Sequence, residues 1–204
     1  MSKRYHHGDL RNALIVAAAE LIEESGAPDF AISDAAKRAG VSAAAPYRHF
    51  KDRDDLLDAV SDLCFIGLAE IAANTRDSHP AGSRSCIIAL GQAYLDYVSK
   101  HSAFYNLMWC EEKHSLEEPA IESEQRPGFY NFVGAVQDWC NQQSLQGSDP
   151  LDLAVKLWAM AHGLAVLKIN GQIEVFLPAA DVGDMLASSA NSFLDGIEKH
   201  HETG

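Results

Sequence analysis

The sequence predicts an all-α protein with a short helix-turn-helix head and a longer helical body. Three observations predict it. Apolar residues recur at helical spacing through most of the chain, Gly and Pro punctuate those runs, and two-residue alternation is almost absent. Of 204 residues, 47% are apolar and 22% charged, enough to build a core and too apolar for wholesale disorder.

The elements follow in order. Leu10, Leu14, Ala17, Ala18, Leu21 and Ile22 lie on one helical face, and that helix ends at Gly26 before Pro28. Next come two short helices around Gly40. Ser33 is placed to cap the first, which reaches Ala39; Gly40 supplies the turn, and Val41 packs inward. Ser42 is placed to cap the second, with Pro46 tolerated in its first turn. A long helix from about Asp52 to Asn74 follows, carrying Val60, Leu63, Cys64, Gly67, Leu68 and Ile71, and Asp54 and Asp55 suit its positive N-terminal end. Further amphipathic runs cover roughly 84–100, 119–143, 149–170 and 182–200. Ile173 to Leu177 alternates briefly between Gly171 and Pro178 and reads as a loop rather than a strand.

Charge divides the chain. The net charge is −13, which taken whole argues against nucleic acid. Residues 1–53, however, hold eight Lys and Arg against seven Asp and Glu, whereas residues 54–204 hold eight against 22. A near-neutral head, 1–53, therefore precedes an acidic body, 54–204. The body repels phosphate except where the head docks.

Several chemistries are disfavoured. Cys64, Cys86, Cys110 and Cys140 form no C-x-x-C pair, so a zinc ribbon or dithiol motif is not expected. Cys110-Glu111-Glu112-Lys113-His114 reads as a solvated turn rather than a metal site. No H-E-x-x-H, G-x-S-x-G or Cys/His spacing of a hydrolase occurs, so neither enzyme activity nor a cofactor is expected. Met1 to His7 is polar with no apolar leader, and no run approaches the ~18 apolar residues of a membrane span. A cytoplasmic protein without a membrane partner is expected.

The informative stretch runs from Ile32 to Phe50. Two short helices joined by a Gly-containing turn are the helix-turn-helix layout, in which the second helix enters the major groove. The same pattern also fits an ordinary helical hairpin with small residues for close packing. The flanks favour DNA: Tyr47, Arg48, His49 and Lys51 line the second helix and its exit, and such groups contact phosphates.

Tyr5-His6-His7-Gly8-Asp9-Leu10-Arg11, Ala39-Gly40-Val41-Ser42, Tyr47-Arg48-His49-Phe50 and Leu56-Leu57 resemble the DNA-binding domain of the TetR family of bacterial transcriptional regulators. Trp158-Ala159-Met160-Ala161-His162-Gly163 resembles the Trp-x-x-x-His-Gly signature of one subgroup. The resemblance departs at Ala31, Ala35 and Arg53, where many members carry Thr, Ile and Lys. Ser33 compensates for the hydroxyl lost at Ala31. Ala43, Ala44 and Ala45 touch thymine methyls but donate nothing, so base reading falls to Ser42, Arg48, Lys37 and Arg38. Lys3 and Arg4 form an arm reaching the minor groove.

The resemblance implies a body that binds a small effector of unknown identity and dimerises through its last two helices. Tyr94, Tyr97, Phe104, Tyr105, Met108, Trp109, Phe129, Trp158 and His162 are the candidate effector residues; each also suits a packed core. Trp158 and His162 share a helix face, as pocket wall or as core histidine. Ala159, Ala161, Gly163 and Ala165, with Ala187, Ser188, Ala190 and Ser192, permit close helix approach between two copies. The function expected is a homodimeric repressor on a palindromic operator, released by its effector. Two rivals are a helical metal-binding or enzymatic protein, and a degenerate family member acting through protein contacts.

Overall fold

The computed structural model describes residues 10–109, 127–145 and 147–202. Arg4, the Tyr5–Asp9 motif and the Cys110–His114 segment lie outside the described residues. Among those described, all regular structure is helical: α1 (Leu10–Ser25), α2 (Ile32–Arg38), α3 (Arg53–Asp77), α4 (Arg84–Lys100), α5 (Tyr105–Trp109), α6 (Pro127–Gln142), α7 (Pro150–Ile169), α8 (Gln172–Phe176) and α9 (Val182–Glu202). One-turn 3-10 helices occur at Pro46–Arg48 and Ser102–Phe104. The chain forms two compact units. The first holds the described residues through Phe65 together with His101 to Trp109, and the second begins at Ile66, inside α3.

The first unit closes over small and medium apolar residues. Leu14, Ala18, Ile22, Ala35, Ala36, Phe50, Leu56 and Val60 are buried there, each of the larger ones contributing about 1.5–3 kcal/mol by burial. Its capping differs from the expected pattern. Ala31, not Ser33, is the N-cap of α2, and the Asp34 carboxylate accepts the Ala31 N–H at 2.9 Å. Asp34 stands at the third helical position, from which a carboxylate reaches back to the cap; Ser33, one residue earlier, cannot fill either role. At the other end of α2 the Val41 N–H reaches the Ala36 carbonyl and the Gly40 N–H that of Lys37, with Gly40 at φ +72°. This Schellman closure needs a left-handed residue, which only glycine supplies without cost.

The second helix of the motif also departs from expectation. Ser42 caps no α-helix; its carbonyl accepts the Ala45 N–H, and the chain then makes the 3-10 turn Pro46–Arg48. Pro46 has no N–H to return to Ser42, so an α-helix starting there loses its first bond and the chain restarts at Pro46. The start of α3 is capped as expected of an acidic first turn: Asp52 accepts the Asp55 N–H at 2.9 Å, and Asp55 accepts that of Lys51 at 2.8 Å.

The second unit is organised on α7, which packs against α4, α6, α8 and α9. Trp139, Val136, Leu153, Leu157, Ala190 and Leu194 form its centre. Asp149 caps α7 by accepting the Leu151 N–H, with Pro150 first in the helix. Helix α7 is long and apolar enough, by length and composition, to cross a membrane, with mean hydropathy 1.3; in this fold its apolar residues are divided between that centre and the surface. The segment expected as a loop at Ile173–Leu177 is the one-turn helix α8, anchored by the buried Ile173. Ala161, Ala165 and Ala190, expected at a dimer face, are buried within the protomer, while Ala159, Gly163, Ser188 and Ser192 are exposed. The buried and exposed sets lie on opposite sides of each helix, because each helix uses one side to build its own core.

Candidate functional site

Two groups of side chains stand out, one in each unit. In the first, Ser33 and Lys37 lie one turn apart on an exposed face of α2. After the Gly40 turn, Ser42, Ala43, Ala44, Tyr47, Arg48, His49 and Lys51 are all exposed, Tyr47 at 59%. What holds this outward-facing row is apolar: Pro46 and Phe50, within the same turn, are buried. The Arg11 guanidinium lies 5.3 Å from the centre of the Phe50 ring, a cation–π contact from α1. The row therefore has a rigid inner edge and an outer edge of hydroxyls, amine, guanidinium and imidazole.

Not every basic group of the unit is available in the same way. Arg38 is engaged by α1: its guanidinium pairs with both oxygens of Glu24 and lies 3.4 Å from Glu20. That guanidinium holds the Glu24 carboxyl below its usual range. Arg53 is engaged by the α1–α2 loop, donating from Nε to the Phe30 carbonyl at 2.8 Å and from a terminal nitrogen to the Pro28 carbonyl, with the Phe30 ring 5.4 Å away. Sequence reasoning marked Arg53 as a departure and missed this function, since a side chain reaching a carbonyl 25 residues back leaves no local signal. Lys37, Arg48 and Lys51 remain the outward cations of this region.

In the second unit four of the expected effector residues come together. The Tyr94 hydroxyl lies 2.6 Å from His162 Nδ1. The Trp158 and His162 rings are 5.0 Å apart, and Phe129 meets Trp158 edge-on at 5.9 Å. Tyr94 is buried and the other three are half-buried. Burial pushes the His162 imidazole below its ordinary value, keeping it neutral near pH 7. The Tyr94 hydroxyl and His162 Nδ1 share one hydrogen bond, in which the tautomer of the ring sets which atom donates. The arrangement is an aromatic wall with hydrogen-bonding tips, contributed by α4, α6 and α7.

The remaining candidates lie elsewhere. Tyr97 packs on Gly67 of α3, where a Cβ would stand 2.8 Å from its hydroxyl. Phe104 and Met108 are buried in the first unit, with Tyr105 and Trp109 half-buried there; Trp109 meets Phe65 edge-on at 5.4 Å.

Helix α6 also grips the end of α3 closely. A Cβ on Gly128 would stand 3.2 Å from Ala69 Cα, and one on Gly134 would stand 2.6 Å from the Arg76 guanidinium. Arg76 in turn pairs with Asp138 at 2.7 Å. No group of three His, Cys, Asp or Glu able to hold a metal occurs among the described residues.

Two family models match the chain. Residues 14–60 match the model of the bacterial regulatory proteins, tetR family, and residues 87–190 match that of the tetracyclin repressor-like, C-terminal domain. A protein of unknown function from Rhodococcus sp. RHA1 is 27% identical, with TM-score 0.79, over 96% of this chain and 98% of its own. A TetR family transcription regulator from Marinobacter aquaeolei VT8 is similar at 16% identity and TM-score 0.62, over 88% of this chain and 94% of its own. The TetR-like regulator LfrR from Mycobacterium smegmatis, solved in complex with proflavine, is similar at 17% identity and TM-score 0.52, over 89% of this chain and 95% of its own. At those two identities the likeness is one of fold. No curated protein matches the chain.

Proposed function

The chain belongs to the TetR family of bacterial regulatory proteins and is a DNA-binding transcriptional regulator, and from that premise we propose that it is a homodimeric repressor released from a palindromic operator by a small effector. The observation that carries the DNA side is the exposed row from Ser42 to Lys51, backed by buried Pro46 and Phe50. Ala43 and Ala44 offer methyl contacts to thymine, Ser42 and Arg48 can bond base edges, and Tyr47, His49, Lys51, Ser33 and Lys37 suit phosphates. Arg38 reads bases only by leaving Glu24, so its part is secondary. The N-terminal Lys3 and Arg4 serve as the minor-groove arm. Residues 1–53 act as the DNA-binding domain and 54–204 as the effector and dimer domain.

The effector is proposed to lie against Phe129, Trp158, His162 and Tyr94, with the aromatic faces holding a planar body and the imidazole fixing a polar group. Binding shifts a two-state equilibrium only if the ligand prefers the state that does not fit DNA. Two copies meet through α7 and α9, whose exposed Ala159, Gly163, Ser188 and Ser192 allow close approach. Membership in the family supports a non-enzymatic, cytoplasmic role.

Footprinting on DNA flanking the protein's own gene tests this reading. The expected result is a protected palindrome with half-sites about 10 base pairs apart. Replacing Lys51 by Ala should weaken binding to every sequence alike and lower the salt slope by about 1. Replacing Arg48 by Ala should in addition relax preference at one position of each half-site. Protection that does not depend on sequence overturns the operator reading. For the body, Trp158 fluorescence can be followed against planar aromatic compounds, with proflavine as the first probe. Quenching retained in His162→Ala together with a lowered Tm assigns His162 to packing alone.

A further inference from the structure

Most of the described arginines are answered from within the chain. Arg38 is paired with Glu24 and Glu20, Arg76 with Asp138, and Arg84 with Asp195 and Glu198. Arg53 meets Asp54 and two backbone carbonyls. Among the described residues, neither Arg11 nor Arg48 meets a carboxylate or a carbonyl. Arg48 already stands in the exposed row. Arg11 is exposed near the start of α1, yet its guanidinium lies 5.3 Å from the centre of the Phe50 ring. Phe50 sits between His49 and Lys51 of that same row.

We propose that Arg11 is a DNA-contacting residue: the Phe50 ring holds its guanidinium beside the exposed row, where it binds a backbone phosphate. The inference rests on that row being the DNA face, and it extends the face to α1. The ring positions the cation without consuming it. A cation–π contact uses the charge and the face of the ring, so the planar fork of N–H donors still lacks an acceptor. A phosphate offers two oxygens in matching geometry. The ring is also a fixed base, since Phe50 is buried and its N–H bonds the Pro46 carbonyl at 2.9 Å. A guanidinium resting there has less freedom to lose on binding DNA than a free surface arginine.

Roles inside the chain account for less. Arg11 does not serve α1: the first turn of that helix holds no acidic residue, and a cation there opposes the helix dipole. The acidic start of α3 does not claim it either. Asp52 accepts the Asp55 N–H, Asp55 accepts that of Lys51, and Asp54 lies 3.6 Å from Arg53. Shielding Phe50 from water with the methylene stem is the remaining role, and it requires no charge.

Charge therefore separates the two roles. Binding of the full chain to a mixed-sequence DNA duplex is followed from about 50 to 200 mM salt, for the wild type, Arg11→Gln, Arg11→Lys and Lys51→Ala, with a Tm for each. Glutamine keeps the stem and a planar end but carries no charge. Arg11→Gln should lower the salt slope by about 1 per head, so that its affinity deficit shrinks about threefold per head across that range. Arg11→Lys should restore most of the slope, and the Tm of both should stay within about 2 °C of the wild type. An unchanged slope in Arg11→Gln overturns the assignment, and a lowered Tm beside it leaves Arg11 as cover for Phe50. A slope lowered as far by Arg11→Lys also overturns it, since charge is then not what the DNA meets. Lys51→Ala tests the premise. A lower slope there with none in Arg11→Gln sinks Arg11 alone, whereas no change in either sinks the exposed row as the DNA face.

Discussion

The two units of this protein expose opposite materials over similarly apolar interiors. The first presents Ser42, Tyr47, Arg48, His49 and Lys51 and buries small residues such as Ala18, Ala35 and Ala36. The second presents Leu151, Val155, Val175 and Phe176 and buries a large ring, Trp139, at its centre. What each leaves uncovered matches a different kind of surface: polar and cationic groups suit a phosphate backbone, whereas an apolar row suits another protein chain. The acidic excess of residues 54–204 sharpens the contrast, since like charge repels a phosphate backbone.

Replacing the anchor residue of each unit tests the comparison most severely. Phe50→Ala and Trp139→Ala should each cost about 3–5 kcal/mol in urea unfolding. Trp139→Phe should cost far less than its volume change suggests, under about 1.5 kcal/mol. The indole N–H is buried with no acceptor among the described residues, so removing it also removes a desolvation penalty. A Trp139→Phe loss as large as that of Trp139→Ala shows that the ring's shape, not its apolar area, holds the body.

A smaller effect distinguishes how the head is tied. Arg53→Lys should destabilise by about 1–2 kcal/mol, because an ammonium cannot reach the Phe30 and Pro28 carbonyls together or lie flat on the Phe30 ring. DNA affinity should fall with it if the α1–α2 loop supports the Ser42–Lys51 row, and hold steady if the row is self-supporting. On the body side, Ser144 takes a left-handed φ of 56° where the Leu145 N–H closes on the Cys140 carbonyl. Ser144→Gly should gain up to about 1 kcal/mol, read as a rise in Tm.

The smallest effect is one of pH, confined to the body. His162 binds its proton less readily folded than unfolded because it is buried. The unfolded chain therefore takes up the proton first as pH falls, so stability is full above the ordinary histidine value of 6.5 and declines as pH drops below it. His162→Gln should flatten that decline in a series of Tm measurements. An unchanged slope assigns the pH dependence to other groups.

Much of this was legible in the chain. Helices α1, α4, α7 and α9 end within a few residues of the expected runs, because long amphipathic repeats and their Gly, Pro and Asp breakers carry the information locally. Gly40 was legible for the same reason. The recognition turn was not, since Pro46 fits the first turn of either an α-helix or a 3-10 helix, and only the lost bond to Ser42 decides. At α2 two adjacent side chains could cap, and the reach of Asp34 to Ala31 won over Ser33. Helix α5 and its preceding turn are too short to show a period. In the body, Trp158 and His162 were paired by their spacing, but the 2.6 Å contact with Tyr94 spans 68 residues and belongs to the packing of α4 on α7.

The meeting of α6 with α3 at Gly128 has a mechanical side. Most helix contacts pass through side chains, which can turn about their bonds and absorb a displacement. Here the gap to Ala69 Cα has no room for a Cβ without something giving way by tenths of an ångström. The joint is stiff in compression. Phe129, the next residue, belongs to the aromatic wall, and Ala69 belongs to the helix that begins at Arg53 in the head. The stiff backbone approach at Gly128 and the ring contact of Phe129 with Trp158 are thus neighbours in the chain.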